Sequence, residues 1–450
     1  MNVYIIFIRV FGDAPIINVI DLSLKNSTML KSIRWREHGL EPPARLQWRE
    51  NTRRSFAAEL STNFEFERVH SAAVTSIDID VSEARYLLSA STNGAVAIHD
   101  VMDAKPEPLS YHDAQPAQHT PRPAIAPVIA KLSDAHAFSI GRAQWYPVDT
   151  GLFTTSGFDH LLKVWDTNAM ECVTTFDLKD RVFTHALPTN ATGHCLMATA
   201  TAGSSIRLCD MRSGGYTHTL QGHNDSVLSV VWSPRDQYTL VSGGRDHRLL
   251  MWDIRSAKSL LGALDQYNSS GSSDATGRHT AHNGGVNAVT FTPDALYILS
   301  SGRDNRMRLW DQFTGLNTLN NYAAIENTSR TTAQVAVSLH SERPIVYHPT
   351  GHDIALYELY TAKRVHTLTG HFGRVNTIAC HPSEPLVYSG GHDHEILCWS
   401  PGTDERRRRA ALVDDKGTFS EHKTADASDF QLDVGGETRR PELDTWSDED

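Results

Sequence analysis

His223, Ser242 and Asp246 are the three side-chain types of a hydrolase triad, and Trp252 follows them closely in the chain. The same set returns as His282, Ser300, Asp304 and Trp310, and again as His371, Ser389, Asp393 and Trp399. A triad that activates a serine is needed once, on a strained elbow of the type Gly-x-Ser-x-Gly. Here the trio recurs and the elbow is absent, so the set reads as structural and no catalytic residue is expected. The chain has 23 His, and His392-Asp393-His394 invites a metal reading. No Cys pair and no His-Glu-x-x-His spacing accompanies it. No Walker loop is present either, so neither a metal nor a cofactor is expected.

The chemistry left to such a set is hydrogen bonding inside a fold. A His in the turn before a first strand can bond an Asp in the tight turn between strands two and three. The Ser and the indole nitrogen of the Trp carry the bonds inward, so every buried polar group finds a partner. His136, Thr155, Asp159 and Trp165 form a close variant; His70, Ser89, Asn93 and His99 form a weaker one. Cys209 and Tyr357 stand where two further units should carry Trp. Units of roughly 40 residues ending this way resemble the WD repeat. The expectation is an all-β, seven-bladed WD-repeat β-propeller over residues 60–401, with an N-terminal helical arm and a disordered C-terminal tail. Phe64 to Arg68 alternates and precedes the first unit, so it is expected to close the ring as the outer strand of blade seven. Two insertions, around 103–124 and through Asn268 to Ser273, read as solvated loops because Pro and Gly/Ser runs do not sustain a ladder.

Charge divides the rest. The chain carries −11 over 450 residues. Residues 402–450 hold fourteen Asp/Glu against eight Lys/Arg, and residues 29–54 hold seven Lys/Arg against three Glu. An acidic tail and a basic helical arm (29–59) thus flank a body near neutrality. That balance disfavours direct, sequence-specific DNA binding, which needs a strong basic footprint. Five cysteines without framework spacing suit a reducing compartment. Arg406 to Arg409 has the composition of a nuclear-localisation patch and equally of a solvated charge run. Val3 to Ile8 is apolar but Arg9 ends it far short of a membrane span, so no membrane partner is expected. Residues 1–28 find no role in the propeller and are expected to be an extra, dispensable segment ahead of Met29.

Several segments lie outside the generic repeat: Arg53-Arg54, Gln144-Trp145-Tyr146-Pro147, Leu162 to Asn168, Leu264 to Asn268, Thr280 to Gly284, Gly302 to Trp310, and the terminal Trp446 to Asp450. Together they resemble the Cockayne syndrome A family, from about Met29 to the C-terminus. The resemblance implies a non-catalytic, nuclear substrate receptor of a cullin 4 RING ubiquitin ligase in transcription-coupled nucleotide excision repair. It implies docking on the damaged-DNA-binding protein 1 adaptor, with the Cockayne syndrome B remodeller or the RNA polymerase II complex as client. It also implies adaptor contacts from a helical arm and from Trp-Asp-x-Arg, here Trp252 to Arg255; Cys209 to Arg212 keeps only the Arg. Arg255 and Arg212 follow third strands and should emerge opposite the His turns, where a guanidinium can fork onto carbonyls or carboxylates. Leu46 and Trp48 would anchor the arm in a groove. The alternatives are an ordinary surface Arg, a helix capping the propeller itself, and a generic WD-repeat scaffold of another nuclear chromatin or RNA-processing complex. On the His-turn face, the residues just before each network acid are Thr92, Phe158, Arg245, Arg303 and His392. These are the substrate-facing candidates, because aromatic and Arg side chains dominate binding hot spots.

Overall fold

The computed structural model describes residues 39, 43–106, 123–190, 193–256, 259–269, 279–322, 325–327, 329, 332–338 and 341–401. Seven antiparallel sheets follow one another in the chain and build a seven-bladed β-propeller. The inner strands are Val74–Ile79, Ile140–Trp145, Val182–Ala186, Val227–Trp232, Val286–Phe291, Ala336–Val337 and Val375–Cys380. In each blade two or three further strands step outward by tight turns. Blade five has three regular strands, and a single bridge, Trp310 to Asn317, stands in the fourth place.

Both faces of each blade are apolar because each is covered by a neighbour. Val230, Trp232 and Leu240 of blade four pack with Ala186, Ala198 and Leu208 of blade three. Val74 and Ile77 of blade one pack with Tyr388 and Cys398 of blade seven. Burial of this kind contributes about 25 cal/mol per Å² of apolar surface. The inner strands leave one backbone edge towards the channel, and side chains of adjacent blades bond to it. Thr377 Oγ1 accepts the Ile77 N–H at 3.0 Å, Asp78 accepts the Trp145 N–H at 2.8 Å, and Gln144 accepts the Leu187 N–H at 3.2 Å.

Six inner strands carry a bulge at their second residue, at Thr75, Gly141, Phe183, Leu228, Asn287 and Asn376. A second bulge recurs between strands three and four beside His99, Trp165, Cys209, Trp252 and Tyr357. The recurrence shows that His99, Cys209 and Tyr357 occupy the Trp position of their blades. Bulges increase local twist and re-aim side chains, so the two sets of bulges mark equivalent points around the ring.

Ring closure differs from the sequence expectation. Ala58–Leu60, not Phe64 to Arg68, is the outer strand of blade seven, with Ala58 opposite Pro401 and Leu60 opposite Trp399. Ala58 is buried and Leu60 packs with Trp399, which the exposed Glu65 and Glu67 could not do. Phe64–Phe66 instead pairs in parallel with Ala124–Ala126, which pairs with Lys105–Pro106. The first insertion is therefore partly a small sheet lying on Val74, Ile77 and Tyr388 rather than a solvated loop throughout. Pro106 is tolerated because it lies on that sheet's edge. Within the second insertion, Asn268 donates to Asn317 O and accepts the Asn317 N–H. Residues 1–28, 270–273 and 402–450 lie outside the described residues.

The arm forms helix α1, Pro43–Phe56. Pro opens it where no N–H partner is needed. Arg53 and Arg54 lie in the last turn, where cations meet the negative end of the helix dipole. Among the described residues no helix is long and apolar enough to cross a membrane.

Candidate functional site: two faces of the propeller

The polar sets are assembled with near-identical geometry in four blades. His136 Nδ1 lies 2.9 Å from Asp159, and its Nε2 lies 2.7 Å from Thr155 Oγ1. The corresponding distances are 3.0 and 2.8 Å for His223 with Asp246 and Ser242. They are 2.9 and 2.8 Å for His282 with Asp304 and Ser300. They are both 2.7 Å for His371 with Asp393 and Ser389. Each Trp indole donates to the same hydroxyl: Trp165 to Thr155 and Trp252 to Ser242 at 2.8 Å, Trp310 to Ser300 at 2.9 Å, and Trp399 to Ser389 at 2.7 Å. The pattern fixes the tautomer, with Nδ1–H donating to the acid and Nε2 accepting the hydroxyl proton. Burial lowers the pKa of His282 and His371, which keeps them neutral. Burial pushes the Asp246 carboxyl up, but hydrogen bonds from His223, Asn224 N–H and Arg248 N–H outweigh it and hold Asp246 below the usual carboxylate range.

A glycine makes this approach possible. A Cβ at Gly244 would lie 2.4 Å from Asp246 Oδ1 and 2.5 Å from His223 Nδ1, and one at Gly302 would lie 2.4 Å from His282 Nδ1. Blade one has Ser91 at that position. Its hydroxyl bonds Asn93, while His70 reaches only Ser89 and its Nδ1 has no partner. Every hydroxyl of the four complete sets is saturated and buried, so none is a free nucleophile. Among the described residues no group of three His, Cys, Asp or Glu could hold a metal ion.

The turns bearing the network acids and the His residues share one face, and loops after first and third strands share the other. On that other face Arg255 sits at the end of blade four. Its Nε and Nη2 make a forked pair with Asp253 at 3.0 and 2.7 Å, and its guanidinium lies 4.7 Å from the Tyr238 ring centre. Asp236 lies 3.8 Å away. The pair with Asp253, seconded by Asp236 and Tyr238, raises the Arg255 pKa further. The side chain is nevertheless 57% exposed. Arg212 occupies the equivalent exposed turn of blade three. Helix α1 lies on the same face. Thr52 and Ser55 are buried, Thr52 Oγ1 accepts the Arg343 N–H at 3.4 Å, and Arg45 pairs with Glu342 at 3.6 Å. Its inner side is thus held by blade six, while Trp48 stands 49% exposed. Leu46 is in the helix; its side chain lies outside the described residues. The Asp253 fork and the Tyr238 shelf were not foreseen. The acid is in the Trp-Asp-x-Arg run itself, but Tyr238 and Asp236 come from a loop some 15 residues earlier.

On the His-turn face the candidates fall at equivalent points, fixed by one backbone bond per blade. The N–H groups of Thr92, Phe158, Arg245, Arg303 and His392 donate to the carbonyls of Ala73, Ser139, Ser226, Gly285 and Arg374. Ala202 donates likewise to Arg181, a rim residue the sequence reading passed over. Arg245, Arg303 and His392 are exposed, and Phe158 packs edge-on against Phe183 with ring centres 5.7 Å apart. His392 lies 2.9 Å from Arg374 Nη2.

Comparison with known proteins follows the same geometry. The WD domain, G-beta repeat model matches residues 214–253, 273–311 and 362–400. These segments close blades four, five and seven, which carry the complete His-Ser-Asp-Trp sets. Across its length the chain is 31% identical to WD repeat-containing protein ATCSA-1 of Arabidopsis thaliana, over 87% of this chain and 100% of that protein. The chain belongs to the family of ATCSA-1. More partial likeness extends to other WD-repeat proteins. The ribosome biogenesis protein WDR12 homolog of Drosophila mojavensis is 31% identical over 39% of this chain and 38% of its own. The ribosome biogenesis protein YTM1 of Chaetomium globosum is 27% identical over 52% of this chain and 50% of its own. The ATCSA-1 likeness extends beyond the repeats, since it spans that protein entirely.

Proposed function

We propose that this ATCSA-1 relative is a non-catalytic, nuclear substrate receptor of a cullin-RING ubiquitin ligase, acting in transcription-coupled nucleotide excision repair. It docks on the damaged-DNA-binding protein 1 adaptor of the cullin 4 ligase through helix α1, Arg255 and Arg212. It presents a client, the Cockayne syndrome B remodeller or the RNA polymerase II complex, on the His-turn face. The carrying observation is the full-length match to ATCSA-1, because the repeat alone would give only the partial likeness seen with the ribosome biogenesis proteins. The face geometry supports it. Asp253 holds the Arg255 guanidinium in one orientation, so little side-chain entropy remains to be lost on binding. A half-exposed Trp48 on the same face is an anchor of the type that interfaces favour. The partial matches to ribosome biogenesis proteins keep a scaffold role in an RNA-processing complex as the second reading.

Arg255→Ala and Arg255→Glu test the assignment. Adaptor affinity should fall by about tenfold or more, further for Glu because it meets Asp253 and Asp236. The melting temperature should stay near that of the parent protein, since the pair is exposed. Full affinity in both folded variants would move the interface elsewhere and favour the scaffold reading.

A further inference from the structure

Arg142 is a charge that neither the repeat nor the two faces account for. It sits on the inner strand of blade two, and burial lowers its pKa. Its side chain has no hydrogen-bond or ion-pair partner among the described residues, and its Nε is buried. That strand packs between the inner strands of blades one and three, which carry Asp78 and His185, and both of these feel the Arg142 charge. His185 is already engaged by Thr154 and Ser156 at 2.7 and 2.8 Å. Only the Nε is buried; the side chain as a whole is half-buried, and Asp78 is the one opposite charge that acts on it. A guanidinium held this way with no hydrogen bond of its own is a socket for an acceptor.

The rim above this socket is basic and aromatic. Ser139, which holds Phe158 at the rim, is three residues before Arg142 and immediately ahead of the same strand, a rise of about 10 Å if the chain there is extended. Around the rim from blade three to blade five stand Arg181, Arg245 and Arg303, all exposed and none with an ion-pair partner among the described residues. Beside them lie the Phe158–Phe183 pair and Phe138, which is 64% exposed.

We propose that this channel mouth, from blade two to blade five, binds an acidic, extended peptide segment of a partner protein, with one carboxylate side chain reaching down to Arg142. The assignment rests on the reading that the His-turn face is the client face, and it gives the client's chemistry. The three rim arginines complement further acids, and the phenylalanines take a neighbouring apolar side chain. A nucleic acid fits less well. Its phosphates are fixed in the sugar backbone, whereas a Glu or Asp carboxylate stands on its own flexible stem and can reach a single recessed guanidinium.

Fluorescence anisotropy with the full chain tests this. The probes are labelled ten-residue peptides with two Phe and four Glu, the same peptides with Gln for Glu, and a twelve-nucleotide oligouridine. Saturable, salt-sensitive binding of the Glu peptides alone is expected. It should weaken about tenfold or more in Arg142→Gln and in the triple Arg181→Glu, Arg245→Glu, Arg303→Glu. The triple variant changes only exposed residues, so it decides the matter if Arg142→Gln fails to fold. Equal binding of Glu and Gln peptides, no saturable binding, unchanged affinity in the triple variant, or tighter binding of oligouridine would overturn the proposal. Arg255→Glu is the separating control. It should keep peptide binding while losing the adaptor; adaptor binding retained beside intact peptide binding would sink the adaptor reading and leave this site standing.

Discussion

The His-Ser-Asp-Trp set concentrates its energy in a few atoms. Removing the Asp246 carboxylate strands the Nδ1–H of the buried His223 and takes the acceptor from the Asn224 N–H at the surface of the turn. Asp246→Ala should therefore cost about 1–3 kcal/mol, read as a lower denaturant midpoint at unchanged slope. A midpoint equal to that of the parent protein would show that the bonds contribute nothing there. The set was legible in the sequence because its residue types repeat, and Gly244, Gly302 and Gly391 mark where the His and Asp may approach. Ser91 at the matching point of blade one gives the opposite signal, a hydroxyl where the pair would be. Arg142 and Arg181 were not legible. Neither belongs to the repeat, and lacking a partner is a property of three-dimensional surroundings.

Other imidazoles should set the acid limit. Burial lowers the pKa of His70, His99 and His348 to about 4 and that of His185 to about 3. Their unfolded forms titrate near 6.5, so the unfolded state takes up protons first. Their stability contribution is present above that range and is lost as pH falls through it, by about 1.4 kcal/mol per pH unit for each His. Asp78 works in the other direction. Burial raises its carboxyl to about 6, so its contribution is fully present below the unfolded carboxylate range, near pH 4, and is lost as pH rises through about 6. Four imidazoles outweigh one carboxyl, so the melting temperature should fall steadily from pH 6.5 to 4.5. A flat profile over that range would contradict their burial.

At the scale of the element, the ring depends on three residues. Ala58–Leu60 completes blade seven from the other end of the chain, so its ladder closes the circle that the consecutive blades leave open. Glu59→Pro should release that strand and expose the amides of residues 396–400 to hydrogen exchange, with a clear fall in melting temperature. An equivalent break at Glu65 should spare those amides, because Phe64–Phe66 belongs to the small side sheet. Faster exchange at 396–400 from the Glu65 break alone would reverse the two assignments. The sequence pointed to Phe64 to Arg68 because its alternation is cleaner than that of Ala-Glu-Leu. A three-residue strand carries too short a pattern to read, and burial of its Ala is decided by the partner blade. The bulges were hidden for the same reason: they are set by packing at the channel and at the Trp position rather than by any residue type.

At the scale of the molecule, the propeller separates two sets of turns in space. Antiparallel strands that step outward put all His turns on one face and all Arg255-type turns on the other, about one strand length apart. An adaptor held by one face leaves the other open for a client, which a receptor needs and a single-sided scaffold does not. The blade number was readable by spacing even in the degenerate units, since His99, Cys209 and Tyr357 keep the Trp place in register. What binds each face was not readable from the repeat, because turn residues are free of the constraints that build the blades.

The most direct test is hydrogen exchange of the full chain with and without the purified damaged-DNA-binding protein 1 adaptor. Protection is expected in helix α1, at Arg212 and around Asp253 to Ser256, with the turns at Phe158, Arg245 and Arg303 unchanged. Protection confined to those His-face turns, or no protection anywhere with the adaptor in large excess, would contradict the receptor account.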